Sequence, residues 1–208
     1  MTASTTSATS SPPKTRRSRN DVVRTAAQLF AARGYHGTSM RDLGNELGLL
    51  GSSLYSHVGS KAELLVEVIA GAAVDFQQLA ALVVEAGGGP AQQLEAIVRG
   101  HLDLLVANPD RALVFINESR FVPEPHFVAV VAMFDAYQAE VRALLADGRQ
   151  QGVFAHDLDE HLTANLILSL LNGTVRWFRP DGSRTPTEIA DELLRVVLAA
   201  CGHESKGN

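Results

Sequence analysis

Along this chain apolar residues recur at spacings of three and four rather than two. From Asn20 or Asp21, the side chains of Val23, Ala26, Ala27 and Phe30 share one face and Gly34 follows as a C-cap, which predicts an amphipathic helix. Met40, Leu43 and Leu47 mark a second, short helix, with Thr38 or Ser39 as N-cap and Gly48 as its stop. Leu54 and Val58 share a face of a third helix beginning near Gly51, and Ser60 can cap a fourth from Lys61 with Leu64, Leu65 and Val68 inward. After the loop Gly87-Gly88-Gly89, Pro90 can open a helix to about Ala107, which Asn108-Pro109 breaks. A shorter helix around Asp110 to Arg120 and a long one from about His126 to Gln151 follow. Asp157 or Asp159 can cap the next, running to Phe178. Thr185-Pro186-Thr187-Glu188 combines a capping box with proline at the first helical position, and so starts a last helix to about Ala200. No alternating strand pattern of useful length interrupts the series, and the chain is expected to be all-α.

Three of these helices crowd into roughly forty residues, and the segment Thr38 to Lys61 reads TSMRDLGNELGLLGSSLYSHVGSK. Two short helices joined by a tight turn make a helix-turn-helix, whose second helix can enter the major groove of DNA with its N-terminal residues foremost. Gly44 inside the first of them costs about 1 kcal/mol relative to alanine, which is reasonable if the following helix crosses closely there. Gly48 suits a left-handed turn between the two.

Composition narrows the picture. With 208 residues, 46% hydrophobic content and mean hydropathy +0.04, the chain can hold a small domain joined to a larger one. Charges at Glu67, Asp75 and Glu85 interrupt the most apolar region, so no membrane span is expected, and Met1 to Pro13 lacks the apolar run of a secretory signal; a cytoplasmic location is the expectation. The single cysteine, Cys201, excludes an intrachain disulfide and a cysteine-cluster metal site, and the histidines show no HxxxH pairing. No metal or cofactor is expected. Paired carboxylates, a nucleophile elbow and a phosphate loop are all missing from the sequence pattern, which gives a helical-bundle enzyme no support.

The net charge of -5 is unevenly spread. Residues 1–67 hold eight basic against five acidic side chains, a net of +3, whereas the remainder carries ten against eighteen, a net of -8. A basic head can face phosphates while an acidic body points away. Residues 1–18 are expected to form a flexible basic tail, 19–65 a helix-turn-helix DNA-binding domain, 66–202 an effector-binding and dimerisation domain, and 203–208 a second flexible tail.

Phe30, Gly34, Tyr35, Thr38, Ser39, Leu43, Gly48, Leu54, Tyr55, His57, Ser60 and Lys61 stand in one register, and over about Arg19 to Val68 the chain resembles the TetR/AcrR family of transcription regulators. That resemblance implies phosphate contacts from Thr38, Tyr55 and Lys61, with Arg41 and the residues Gly51, Ser52 and Ser53 at or near the bases. Ser39 and His57 belong to the same DNA-binding set. Hydroxyls, an ammonium and a helix N-terminus all suit phosphate oxygens. The chain departs from the family pattern at Leu50, where serine or threonine is usual, at Ser52 and at Val58. Small serines at the reading edge predict a role for water and phosphate positioning. Arg16, Arg17 and Arg19 form either a minor-groove arm or a solubilising tail.

The resemblance further implies a homodimer on double-stranded, palindromic operator DNA. Leu162, Leu166, Ser169, Leu170 and Gly173 on the penultimate helix, with Ile189, Leu193, Val196, Val197 and Ala200 on the last, are the interface candidates, with ordinary intrachain core as the alternative. Asn172 to Gly182, reading NGTVRWFRPDG, looks like a segment of TetR-type regulators of steroid and fatty-acid catabolism that respond to acyl-CoA thioesters. On that resemblance Phe115, Phe121, Phe134, Tyr137 and Trp177 are expected to line an apolar effector pocket, and Arg120, Arg176 or Arg179 to meet a phosphate or carboxylate of the ligand. A drug or signalling molecule without CoA, held by the same fold, is the alternative, followed by a helical ligand-binding protein without DNA binding.

Overall fold

The structure of the chain, a computed structural model, describes residues 17–203. Among these the regular structure is entirely helical: α1 Arg19–Arg33, α2 Met40–Leu47, α3 Gly51–Tyr55, α4 Lys61–Ala86, α5 Pro90–Ala107, α6 Pro109–Glu118, a 3-10 turn Ser119–Phe121, α7 His126–Gln150, α8 Glu160–Trp177 and α9 Pro186–Ala200. The local signals explain most of the boundaries. Ser39 and Asp42 bond reciprocally at the start of α2, as do Thr185 and Glu188 at the start of α9. Of the two aspartates offered for α8, Asp159 is the cap, accepting from the backbone N–H groups of His161 and Leu162. α1 begins slightly earlier than expected, because Ser18 and Asp21 form a capping box of their own.

Two apolar cores follow. The first gathers Val22, Ala26 and Phe30 of α1, Leu43 and Leu47 of α2, Leu54 of α3, and Leu64, Leu65, Val68 and Ile69 of α4. It also takes Val114, Val122 and Val130 from α6, the following loop and α7. The second core lies between α4, α5, α7, α8 and α9, with Leu94, Leu102, Val141, Leu145, Ala164 and Leu171 at or near complete burial. The expected boundary after residue 65 therefore falls inside a continuous helix: α4, 26 residues and so about 39 Å long, serves both cores. Cys201 caps the C-terminal end of α9 and is fully buried.

α4 also corrects the expectation about apolar stretches. Asp75 and Glu85 are spaced widely enough that the helix is long and apolar enough, by composition, to cross a membrane, with a mean hydropathy of 1.5 over its most apolar window. In the fold its apolar positions are used differently. Leu65, Val68, Ile69, Ala72, Ala73, Phe76, Ala80 and Val83 are buried against neighbouring helices, as the central helix of a bundle requires.

Candidate functional site: a reading head and an effector cavity

The reading head is built around a left-handed turn that favours glycine. Gly48 sits at φ 66°, and the Leu49 N–H returns to the Gly44 carbonyl at 2.8 Å. A Cβ on Gly44 would lie 3.2 Å from the Leu49 carbonyl oxygen and 4.0 Å from a Leu54 methyl, the close crossing its mid-helix position foretold. α3 is five residues long, has no side-chain cap at Leu50, and buries Leu54 alone. Its other residues face outward. Gly51, Ser52, Ser53 and Tyr55 are exposed, as is Arg41 on α2, while Ser39 spends its hydroxyl capping α2.

Two of the expected phosphate contacts are otherwise engaged. Thr38 is buried, and its hydroxyl donates toward the carbonyls of Leu29, at 3.2 Å, and Gly34, at 3.0 Å. The Lys61 ammonium donates to the carbonyls of Tyr35, at 2.9 Å, and Thr38, at 2.8 Å, and lies 4.3 Å above the Tyr35 ring. Both side chains therefore brace the turn between α1 and α2, and the Lys61 ammonium has a third N–H beyond these two bonds. The basic cluster divides as well. Arg16 lies outside the described residues. Arg17 donates to the Leu47 carbonyl at 3.3 Å. Arg19 is not part of a loose arm, because it opens α1, pairs with Glu67 at 2.9 Å and donates to the His57 carbonyl at 2.7 Å.

The expected effector residues fall into three places. Phe115 and Phe134 stack at 3.8 Å and, with Phe76, Tyr137 and Leu168, wall a cavity of about 130 Å³ between α4, α5, α6, α7 and α8. Phe121 is elsewhere, stacked 6.1 Å from Tyr35 and edge-on to His36 at 4.4 Å, with the Arg120 guanidinium 4.7 Å from its ring centroid. Trp177 is 56% exposed at the end of α8, where Arg176 donates to Asn117 and Arg179 to nearby backbone carbonyls. The single aromatic pocket expected from sequence is thus corrected: Phe121 packs on the reading head, and Trp177 faces solvent. A second cavity, of about 450 Å³ between α4 and α7, shares Tyr137 with the first.

Sequence reasoning missed His101. Its imidazole is buried at the floor of the smaller cavity, 3.1 Å from the Tyr137 hydroxyl and 3.3 Å from the Asn172 side-chain oxygen. A readable signal existed: His101 shares the apolar face of α5 with Leu94, Ile97, Val98, Leu102 and Leu105. Burial pushes its pKa down to about 4, against a smaller upward pull from the Asn172 hydrogen bond. Burial likewise holds the Tyr137 phenol above its ordinary range. Between about pH 6.5 and about 4 the unfolded chain binds a proton at His101 that the folded chain refuses, so this contribution is complete above the window and lost as pH falls through it. Moving from pH 7 to pH 5 should remove about 2 kcal/mol through this residue. Urea unfolding of wild type and His101→Gln at both pH values checks it, and equal losses in the two proteins would refute the assignment.

Residues 22–68 match the family described as bacterial regulatory proteins, tetR family, and residues 87–201 match the tetracyclin repressor-like C-terminal domain. The transcriptional repressor KstR2 of Rhodococcus jostii is 28% identical over 181 residues, covering 86% of this chain and 89% of that protein. The solved structure of the ketosteroid transcriptional regulator KstR2 of Mycobacterium tuberculosis superposes with a TM-score of 0.83 at 26% identity, over 87% of this chain and 93% of that one. The TetR-family regulator PfmR from Thermus thermophilus gives 0.80 at 30% identity, over 86% and 97%. AibR, solved with isovaleryl coenzyme A and operator DNA, shares the fold at 0.77 and 24% identity, over 86% and 96%. With both matched segments falling on the reading head and the helical body described above, the chain belongs to the TetR family and is a helix-turn-helix transcriptional regulator similar to the KstR2 repressors.

Proposed function

We propose that this regulator is a homodimeric repressor that holds a palindromic operator and is released by an acyl-CoA thioester bound in its helical body. The observation that carries the reading is the path of α6 and its 3-10 turn. Phe115 forms a wall of the cavity, and within the next six residues Glu118 accepts the Tyr35 N–H at 3.2 Å and Phe121 stacks on Tyr35 and His36. A ligand that displaces Phe115 acts on the reading head through one short rigid segment. The KstR2 relatives are transcriptional repressors, which supports repression, and AibR was solved with isovaleryl coenzyme A and operator DNA, which supports the ligand class.

On the DNA side, the exposed edge formed by Arg41, Gly51, Ser52, Ser53 and Tyr55 enters the major groove, while Thr38 and Lys61 hold the turn that presents it. Leu50 joins this edge. Its side chain is 76% exposed where a capping hydroxyl is usual, and an apolar tip there suits a thymine methyl. Two such heads require a dimer. Leu162, Leu166, Leu170 and Trp177 form one exposed stripe along α8, with Val196 and Ala200 exposed on α9. Ile189, Leu193 and Val197, offered with them from sequence, are buried in the chain's own core. Arg176 and Arg179, flanking Trp177, face the phosphates of the CoA moiety. The regulator works in the cytoplasm, with its operator.

The test is binding of the purified protein to duplex DNA from upstream of its own gene, at several salt concentrations, with and without a panel of acyl-CoA thioesters. The expected result is sequence-dependent binding that weakens steeply with salt and is released by one member of the panel. Equal affinity for unrelated duplexes would sink the operator reading, and indifference to every thioester the ligand.

A further inference from the structure

The floor of the 130 Å³ cavity is polar in a specific way. His101 and Tyr137 are 2% and 3% exposed, and the imidazole bridges the Tyr137 hydroxyl and the Asn172 amide. Both of its ring nitrogens are therefore spoken for, and the network's spare capacity lies at its two ends, which line the cavity. A neutral imidazole carries one N–H, so the row of hydrogen bonds can run in two directions. In one, Nε2–H donates to Asn172 Oδ1 and Tyr137 O–H donates to Nδ1, leaving the Asn172 NH2 free. In the other, the Asn172 amide is turned so that its NH2 donates to Nε2, Nδ1–H donates to Tyr137, and the phenolic O–H is free. Either way at least one unused donor faces the cavity. The complement to an unused donor lining a largely apolar cavity is an acceptor.

The rest of the lining decides which acceptor. Phe76, Phe115, Phe134 and Leu168 are apolar, and the charged side chain among the lining residues is Asp135, an anion. A free carboxylate entering here would find no cation among the lining residues. We infer that the Tyr137–His101–Asn172 row is the anchor for an uncharged acyl carbonyl oxygen, so that the site takes a short acyl group as its thioester and rejects the corresponding free acid. The inference rests on the effector reading above and deepens it. At about 130 Å³ the cavity holds a short aliphatic chain.

The experiment is calorimetric titration of the full-length protein with four probes of one short chain length: the acyl-CoA, the S-alkyl-CoA thioether in which a methylene replaces the carbonyl, the free acid and the methyl ketone. Each is run on wild type and Tyr137→Phe, with operator affinity as the folding control. Replacing the carbonyl should weaken binding to wild type about tenfold, Tyr137→Phe should weaken thioester binding by a similar factor, and the two losses should not add. The free acid should bind more weakly than the thioether. Thioester binding that is indifferent to both changes overturns the anchor and keeps the ligand class. Ketone binding sensitive to Tyr137→Phe, with no thioester bound, supports the anchor and overturns the CoA reading; binding of neither carbonyl compound overturns both.

Discussion

Leu54→Ala should abolish specific operator binding, with a loss of at least about 100-fold in affinity, while the core between α5 and α9 stays folded. The recognition helix α3 is far below the roughly twelve residues at which an isolated helix begins to persist in water, so it exists by attachment. That attachment is narrow. Leu54 is its one buried residue, with no solvent exposure, and no side chain caps its start. Truncating a fully buried leucine costs about 2–5 kcal/mol, the exact value depending on how far the site collapses. Collapse is obstructed here, because the Gly44–Leu49 turn that Leu54 packs beneath is set by the left-handed Gly48. The loss should therefore appear mainly as disorder of α3 rather than as a filled cavity. Fluorescence anisotropy with labelled operator, beside urea unfolding followed by circular dichroism, reads both effects. Retention of wild-type operator affinity would show that α3 is held by something other than this side chain.

The contrast between what could and could not be read in advance has a physical origin. Caps, breakers and the helical period are local, so the ends of α2, α5, α8 and α9 stand where Ser39, Pro90, Asp159 and Thr185 put them. The helix-turn-helix was legible for the same reason, since Gly44 and Gly48 report backbone requirements within a dozen residues of each other. The cavity was not. Phe115, Phe121, Phe134, Tyr137 and Trp177 look alike as aromatic residues in a chain, but their separation into cavity wall, head contact and exposed stripe depends on where α6 ends and on the direction α8 leaves the bundle. His101 was hidden differently. A lone histidine on an apolar face says that something must satisfy it, yet its partners Tyr137 and Asn172 lie 36 and 71 residues away and only the fold brings them together. Thr38 and Lys61 differ again: residue type and register point to phosphate, and only the fold shows that their donors also brace the turn between α1 and α2.

The second large effect is a loss of coupling without a loss of binding. In Glu118→Ala and Phe121→Ala, the effector should bind within about threefold of its wild-type affinity, while the fall in operator affinity it causes shrinks from about 100-fold to under about fivefold. A 100-fold change corresponds to about 2.7 kcal/mol, within the usual range for coupled sites, and all of it must cross whatever joins cavity to head. The joint is visible at Tyr35. Its N–H is held from α6 by the Glu118 carboxylate at 3.2 Å, its ring is covered by Phe121, and its carbonyl receives the Lys61 ammonium from α4 at 2.9 Å. Glu118 lies one helical turn from Phe115 and Phe121 three residues further on, so displacement of the Phe115 ring by a ligand reaches Tyr35 through a short segment. The α4 contact starts from Lys61, at the far end of the helix from the larger cavity beside Val84 and Glu85. Cutting the α6 grip while leaving Lys61 intact therefore distinguishes the two routes. If the thioester releases operator from both variants as completely as from wild type, α6 is a bystander and the signal runs down α4. If release fails while calorimetry shows the ligand bound, Glu118 and Phe121 carry it, and by reciprocity operator DNA should no longer weaken ligand binding in those variants.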